Sequence, residues 1–256
     1  MAIRSHVQNS RFIIKRFRIS NTNGCVKVLN LKDGTILEKG PMEIGTQNDY
    51  FDEETEQFLS NRYESPFAAV VNSIENDCKN GVYNTFSNEF IDAAKRFLIM
   101  LFIRKPEILD KSFDSTKIAK FLNYKPTPSE FVRLLEKTEL VDQLLGDKKM
   151  VVVLNYNTND KKFISSVKGF SVYGSKADTN ECIWWLPFSP DIGIAFVGDF
   201  AFKEFFQGAY YPSLSEDASI EYFNDMIVDT TVNDGGEFVF TSNNVELDRT
   251  KQRLGL

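Results

Sequence analysis

Residues 49–74, DYFDEETEQFLSNRYESPFAAVVNSI, form the stretch on which the rest of the chain is predicted to pack. It begins acidic, which complements the positive end of a helix dipole, and turns apolar after Glu64. An apolar stripe at helical spacing follows, made of Phe67, Val70, Val71 and Ile74. Because Pro66 lacks the N–H of a regular helix, we expect a kink or break there, with Ser65 capping a second helix.

The segments before this stretch are predicted to form an antiparallel β-meander within residues 1–40. Residues 11–19 (RFIIKRFRI) and 25–31 (CVKVLNL) are rich in β-branched and aromatic residues, as strands are. Asp33-Gly34 suits a tight hairpin turn that returns the chain as a third strand over residues 35–38.

Residues 50–146 are predicted to be helical. Ser87 is placed to cap a buried helix over residues 88–103, and a more polar helix is expected over 108–122. The tetrapeptide from Thr127 to Glu130, TPSE, is a capping box that predicts a helix reaching Leu145.

From residue 149 to 242 the pattern is mainly β. The predicted strands are MVVVLNYN, KFISSV, FSVYG, CIWWLPF, IGIAFVG and residues 237–241, with one helix near residues 216–228. Trp184 and Trp185 are expected at core and surface on alternate strand faces, and the tail 243–256 is expected to be loose. The whole chain, 1–256, is predicted to be a single α+β domain: a β-meander, a central helical layer and a C-terminal antiparallel sheet.

Composition limits the functions open to the chain. A net charge of −6 over 256 residues, with a pI near 5.1, is unlike the basic surface of a general nucleic-acid-binding protein. The first twenty residues are basic, however, with five Arg or Lys and no acid. Nucleic acid could therefore contact only this stretch, as a phosphate-contacting patch, and the alternative is a solvated strand face.

Three widely spaced cysteines form neither a disulfide framework nor a zinc motif, which predicts a cytoplasmic protein. The longest apolar run is too short for a membrane helix, so no membrane partner is expected. A single histidine excludes two-His metal motifs, and the sequence lacks GxSxG, GxxxxGK[ST] and GxGxxG. No cofactor is identified.

Glu64 is the leading candidate site residue because it lies where the surface pattern becomes apolar. A carboxylate there needs a partner, and Arg104 or an N-terminal basic residue is expected to supply it. The neighbouring acids, Asp52, Glu53, Glu54 and Glu56, either bind a divalent cation with Glu64 or simply form a solvated helix start.

Several segments, taken in order, resemble the bacterial domain of unknown function numbered 4238, which opens with a His-Tyr-Val-Pro-type motif. The matching segments are Ser5-His6-Val7-Gln8, Tyr63-Glu64-Ser65, Arg104-Lys105-Pro106, residues 163–169 (FISSVKG) and residues 186–190 (LPFSP). The resemblance implies a bacterial or phage-related setting, and a polar pocket formed by His6, Glu64, Arg104 and Ser166. The family's aspartate is missing from residues 163–169, which weakens the case for metal-dependent chemistry.

Two functional hypotheses follow. In the first, the chain is a hydrolase or nuclease-like component of a stress or anti-phage defence module. His6 is then the general acid or base, Glu64 orients it or holds a cation, and Arg104 binds an anionic group. In the alternative, the same residues form a structural network in a non-enzymatic regulatory protein that acts through a protein partner.

Overall fold

A computed structural model describes residues 4–6, 9–19, 24–104, 127–136, 140–174 and 182–256, with the backbone alone for Arg4–His6 and a few positions within 131–140. Its helices and mostly antiparallel strands confirm the α+β class. The strands are β1 Arg4–His6, β2 Val26–Asn30, β3 Ile36–Lys39, β4 Thr46–Asn48, β5 Lys149–Asn155, β6 Ser165–Ser166, β7 Ser171–Tyr173, β8 Ile183–Pro187, β9 Ile192–Val197, β10 Ser213–Leu214 and β11 Phe238–Thr241. The helices are α1 Arg11–Ile14, α2 Glu53–Leu59, α3 Ser65–Lys79, α4 Asn88–Ile103, α5 Pro128–Glu136, α6 Leu140–Leu145, α7 Asp199–Glu204, α8 Asp217–Asn233 and α9 Val245–Leu254.

The prediction of a strand over residues 11–19 is wrong. This segment is α1 followed by a 3-10 turn, Lys15–Phe17. Ile13, Ile14 and Phe17 are fully buried, and their spacing of one and three residues puts them on one helical face. Tertiary burial therefore overrides the β-propensity of the individual residues.

The predicted hairpin of β2 and β3 is present, but its other neighbour comes from the far end of the chain. The order in this four-stranded sheet is β3-β2-β11-β6, and all three pairings are antiparallel. The sheet therefore joins the N-terminal hairpin to the C-terminal region.

A second sheet has the order β10-β5-β9-β8-β7. Its pairings are antiparallel except for β10, which runs parallel to β5. Trp184 and Trp185 point to opposite faces of β8, and both are fully buried. Placing one of them at the surface was wrong, because both faces of this sheet are covered.

Each face of the five-stranded sheet packs on a separate hydrophobic core. Trp184 belongs to the core that includes α3 and α4, through residues such as Val70 and Leu98. Trp185 belongs to the core formed with α7 and α8, where its ring centroid lies 4.5 Å from that of Phe223. The abundant phenylalanines therefore serve two cores.

The helix of residues 53–79 is interrupted before Pro66, but not by a cap. Residues Ser60–Glu64 form a π-helical turn, in which the Ser65 N–H donates to the Ser60 carbonyl. Ser65 itself has helical dihedrals and is not an N-cap. The predicted break is thus a π-bulge, and the chain continues directly into α3.

Other helix signals are confirmed. Ser87 Oγ accepts from the Phe90 N–H at the start of α4, and α4 ends at Ile103 as expected. The Thr127 capping box is formed. The Thr127 N–H donates to Glu130 Oε2 at 2.8 Å, and the Glu130 N–H donates to the Thr127 hydroxyl. The helix predicted over residues 108–122 lies outside the described residues.

The tail is ordered, contrary to expectation. Residues 245–254 form α9, which buries Glu246, Leu247 and Thr250. Glu246 accepts hydrogen bonds from Asn224 at 2.9 Å and from Arg249 at 3.2 Å. Over the described ranges, no helix has both the length and the apolar character needed to cross a membrane.

Candidate functional site

Glu64 and Arg104 form the predicted ion pair. Arg104 Nη1 lies 3.0 Å from Glu64 Oε1, and its Nη2 lies 3.8 Å from Glu56 Oε1. Glu56 and Glu64 are eight residues apart on the helix that includes the π-turn, so both carboxylates face the same guanidinium.

The guanidinium is enclosed by apolar groups as well as by carboxylates. It lies 5.5 Å from the centroid of the Phe51 ring, and Nη1 is 3.5 Å from the Met100 sulfur. The Arg104 side chain is only 1% exposed, whereas that of Glu64 is 25% exposed. Solvent thus reaches the carboxylate but not the cation, and an anionic substrate would have to displace Glu64 to reach Arg104.

Ser10 completes this network. Its hydroxyl donates to Glu64 Oε1 at 2.5 Å, and the residue is fully buried at the start of α1. It occupies the N-cap position, yet its hydroxyl makes no bond to the helix, because that bond goes to Glu64 instead. Glu64 therefore ties the N-terminal segment, the π-turn and the end of α4 together.

Asn9 extends the network to β6. Its Nδ2 donates to the Ser166 carbonyl at 2.9 Å and to Ser165 Oγ at 3.2 Å, while its backbone N–H donates to Val167 at 2.8 Å. Gly169 has φ +82°, and a Cβ at this position would lie 2.9 Å from Asn9 Cγ. Glycine is thus required for Asn9 to dock here.

Three of the four positions implied by the family resemblance therefore belong to one polar network. Glu64 and Arg104 bond directly, and Ser166 joins them through the consecutive residues Asn9 and Ser10. His6 is the last residue of β1, paired with Thr46, and its side chain lies outside the described part. The proposed roles of these residues in catalysis stay predictions.

The neighbouring acids serve the helix and its ion pairs. Asp52 caps α2 by accepting from the Thr55 N–H at 2.7 Å, and hydrogen bonds from Thr55 hold the pKa of the Asp52 carboxyl below its usual value. Glu54 pairs with Arg133 at 2.9 Å. Among the residues with described side chains, no group of three or more His, Cys, Asp or Glu is arranged to hold a metal ion.

Asn9 and Ser10 were missed by sequence reasoning because the segment after them was interpreted as a strand. An Asn-Ser pair immediately before a helix is a common start signal. The helical spacing of the apolar residues Ile13, Ile14 and Phe17 is the signal that would have indicated that helix, with Ser10 as its N-cap.

A different surface carries accessible apolar groups. A pocket of about 290 Å³, here called the aromatic pocket, opens between α8 and the residues that directly follow α7. Its lining residues are Ile183, Phe205, Phe206, Leu214, Ala218, Ser219, Tyr222 and Phe223. Of these, Phe205 is 58% exposed and Tyr222 is 37% exposed. Isolated exposed rings are ordinary, but exposed rings that line a pocket are typical of a binding surface.

Comparisons with protein-family models, with curated proteins and with solved structures gave no significant match. The resemblance to the domain of unknown function therefore stays a prediction that rests on the motifs quoted above.

Proposed function

We propose that this chain is a non-enzymatic binding protein that acts by holding a segment of a partner protein in the aromatic pocket. The observation that carries the proposal is the contrast between two sites. The guanidinium of Arg104 is enclosed by protein, whereas Phe205 and the rings near it face solvent at the mouth of a pocket. A group that must contact a ligand has to be reachable by it.

The partner we propose is a peptide segment with one large apolar anchor residue. A volume of about 290 Å³ lies at the lower limit of pockets that bind drug-sized ligands, and is enough to receive a single large side chain. Aromatic residues at the rim supply large contact area at low entropic cost, which is why they dominate protein interfaces.

The acidic residues near the aromatic pocket favour a peptide that carries basic residues beside its apolar anchor. Glu204 directly precedes Phe205, and Glu216 lies between the lining residues Leu214 and Ala218. Both glutamates are exposed, and neither has an ion pair with a described residue. Complementary charge at a rim chiefly raises the association rate and selects the partner.

The hydrolase hypothesis has less support. Its proposed anion-binding group, Arg104, is enclosed by protein, and Glu64 already bonds to Arg104 and to Ser10. We therefore assign the Glu64–Arg104 network to stability and positioning. A role within a bacterial stress or anti-phage module stays a prediction that the family resemblance alone supports.

The test is selection of a random displayed peptide library on the purified protein, followed by anisotropy titration of the winning peptide. We expect enriched peptides to carry an aromatic or long aliphatic residue flanked by Lys or Arg. Phe205→Glu should abolish binding, because it adds a charge at the pocket mouth. Glu204→Lys with Glu216→Lys should weaken it, most strongly at low salt.

Leu37→Glu is the matched control. Leu37 is 44% exposed on β3, in the other sheet, so the same change of charge should leave peptide binding intact. The proposal would be overturned if no peptide were enriched, or if the enriched peptides bound the Phe205→Glu variant as tightly as the unmodified protein. Selection of acidic peptides, or binding of a second copy of this chain in place of peptide, would overturn it as well.

A further inference from the structure

A second concave surface lies away from the aromatic pocket and beside the end of α3. This cationic groove has a volume of about 580 Å³, within the range of small-molecule sites. It is lined by Arg16, Arg18, Glu75, Cys78, Lys79, Leu154, Asn155, Tyr156, Lys162, Ser189, Pro190, Asp191, Ile192 and Ser242. The fold thus brings the basic N-terminal segment, the end of α3, the end of β5 and the β8–β9 turn to one place.

The groove is positive although the chain is acidic. Four Lys or Arg side chains line it against two carboxylates, so its formal charge is +2, whereas the whole chain carries −6. Cys78 adds no negative charge at neutral pH, because burial and the nearby carboxylates of Asp77 and Glu75 raise the pKa of its thiol. A positive concavity on a negative surface concentrates small anions.

Two of the four cations are already neutralised and two are not. Lys162 lies 2.7 Å from Asp191, and Arg16 lies 3.6 Å from Glu75. Arg18 and Lys79 are exposed, and neither forms an ion pair with any residue whose position is described. These two are free to bind a ligand without breaking an existing bond.

Arg16 has donor capacity left over as well. Its Nη2 donates to Asn72 Oδ1 at 2.5 Å, but its Nε–H is buried and has no acceptor within the described part of the chain. The Arg16 side chain as a whole is 20% exposed, so a ligand in the groove can reach its guanidinium, unlike that of Arg104. A guanidinium matches the geometry of phosphate oxygens particularly well.

Tyr156 supplies a flat apolar surface at the same groove. Its side chain is half exposed, and its hydroxyl is 3.2 Å from that of Tyr83, which fixes the position of the ring. Exposed aromatic rings beside cationic side chains are a common arrangement for binding nucleotides, because the ring stacks on the base.

We propose that the cationic groove binds a small phosphate ester with a planar organic group, such as a mononucleotide. Arg16, Arg18 and Lys79 hold the phosphate, and Tyr156 stacks on the planar group. The proposal is independent of the peptide-binding function. A small ligand fits better than a nucleic acid strand, because the chain carries a net charge of −6, which disfavours the many phosphates of a strand.

The test is calorimetric titration of the purified chain with adenosine monophosphate, inorganic phosphate, adenosine and single-stranded oligothymidine. We expect adenosine monophosphate to bind, inorganic phosphate to bind more weakly, and adenosine to give no signal. Arg18→Gln and Lys79→Gln should each raise the Kd about tenfold, the loss expected for one charge-assisted hydrogen bond. Tyr156→Leu should weaken the nucleotide while leaving phosphate unchanged.

Lys203→Gln is the matched control, since Lys203 is an exposed lysine of α7 outside the groove. Its Kd should equal that of the unmodified protein. Absence of heat with both phosphate compounds at millimolar concentration would overturn the proposal, as would equal binding of adenosine. Binding of oligothymidine without the mononucleotide would overturn it in favour of a nucleic-acid surface.

Discussion

Removing either partner of the Glu64–Arg104 pair should destabilise the fold, and by unequal amounts. Glu64→Gln leaves Arg104 charged and 1% exposed, with Glu56 at 3.8 Å as a remaining carboxylate. Breaking a buried pair in this way costs about 3–5 kcal/mol. Because Glu56 stays close and the glutamine amide oxygen can still accept, we expect the lower end, about 3 kcal/mol.

Arg104→Met should cost less. It leaves Glu64, which is 25% exposed and keeps the hydrogen bond from Ser10 at 2.5 Å. Water can replace part of the lost interaction, so the cost is that of hydrogen bonds to a charged group, about 1.5–3 kcal/mol. The double variant should cost less than the sum of the two, with a coupling energy of about 1–3 kcal/mol.

The assay is urea unfolding at equilibrium, followed by tryptophan fluorescence, because Trp184 and Trp185 are both buried. Arg96→Met is the control: Arg96 pairs with Asp92 at 2.7 Å on the surface of α4, and its loss should cost no more than about 0.5 kcal/mol. If Arg104→Met costs no more than this control, the network does not hold the three segments together.

Three further changes test other parts of the fold. Gly193→Ala should cost about 1–3 kcal/mol by overpacking, because its Cβ would lie 2.1 Å from Trp185 Cη2; an unchanged urea midpoint would contradict the packing. Glu246→Ala should cost about 1.5–3 kcal/mol and speed amide hydrogen exchange in α9, whereas a loose tail would show neither effect. Burial, with a smaller contribution from Cys78 and Asp77, raises the pKa of the Tyr211 phenol to about 12, so the folded state holds this proton longer than the unfolded state. The contribution of protonated Tyr211 to stability is therefore present below pH 10 and is lost as the pH rises toward 12. Tyr211→Phe should reduce this loss of stability, measured in thermal melts at alkaline pH.

Local signals in the sequence predicted local structure well. The caps at Ser87 and Thr127 depend on residues within three positions of each other, and both formed as expected. Four of the five strands of the five-stranded sheet were predicted from short segments such as IGIAFVG, and the two-residue strand β10 was missed. Such features need no knowledge of distant contacts.

Features that depend on distant contacts were missed. Residues 11–14 are helical because Ile13 and Ile14 are buried in the core, although their β-branched side chains favour a strand. The tail is helical because Asn224 and Arg249 bond to Glu246. No local pattern in a polar tail indicates that a partner 22 residues earlier will hold it.

The ion pair of the site was predictable, and its surroundings were not. Glu64 was predicted to need a cationic partner because it is a carboxylate at an apolar boundary, and Arg104 is that partner. Met100 is one helical turn before Arg104, but the contact of Arg104 with Phe51 follows only from the packing of two distant segments. Because Arg104 is enclosed, a ligand can reach the aromatic pocket but not the guanidinium of the network.

The most direct test of peptide binding by the aromatic pocket is the Kd of the selected peptide, measured by fluorescence anisotropy for three proteins under conditions where all are folded. We expect the same Kd for the unmodified chain and for the Glu64→Gln/Arg104→Met double variant, despite the lower stability of the latter. We expect no measurable binding by Phe205→Glu, with an unchanged Tm. Loss of binding in the folded double variant, together with normal binding by Phe205→Glu, would contradict binding at this pocket.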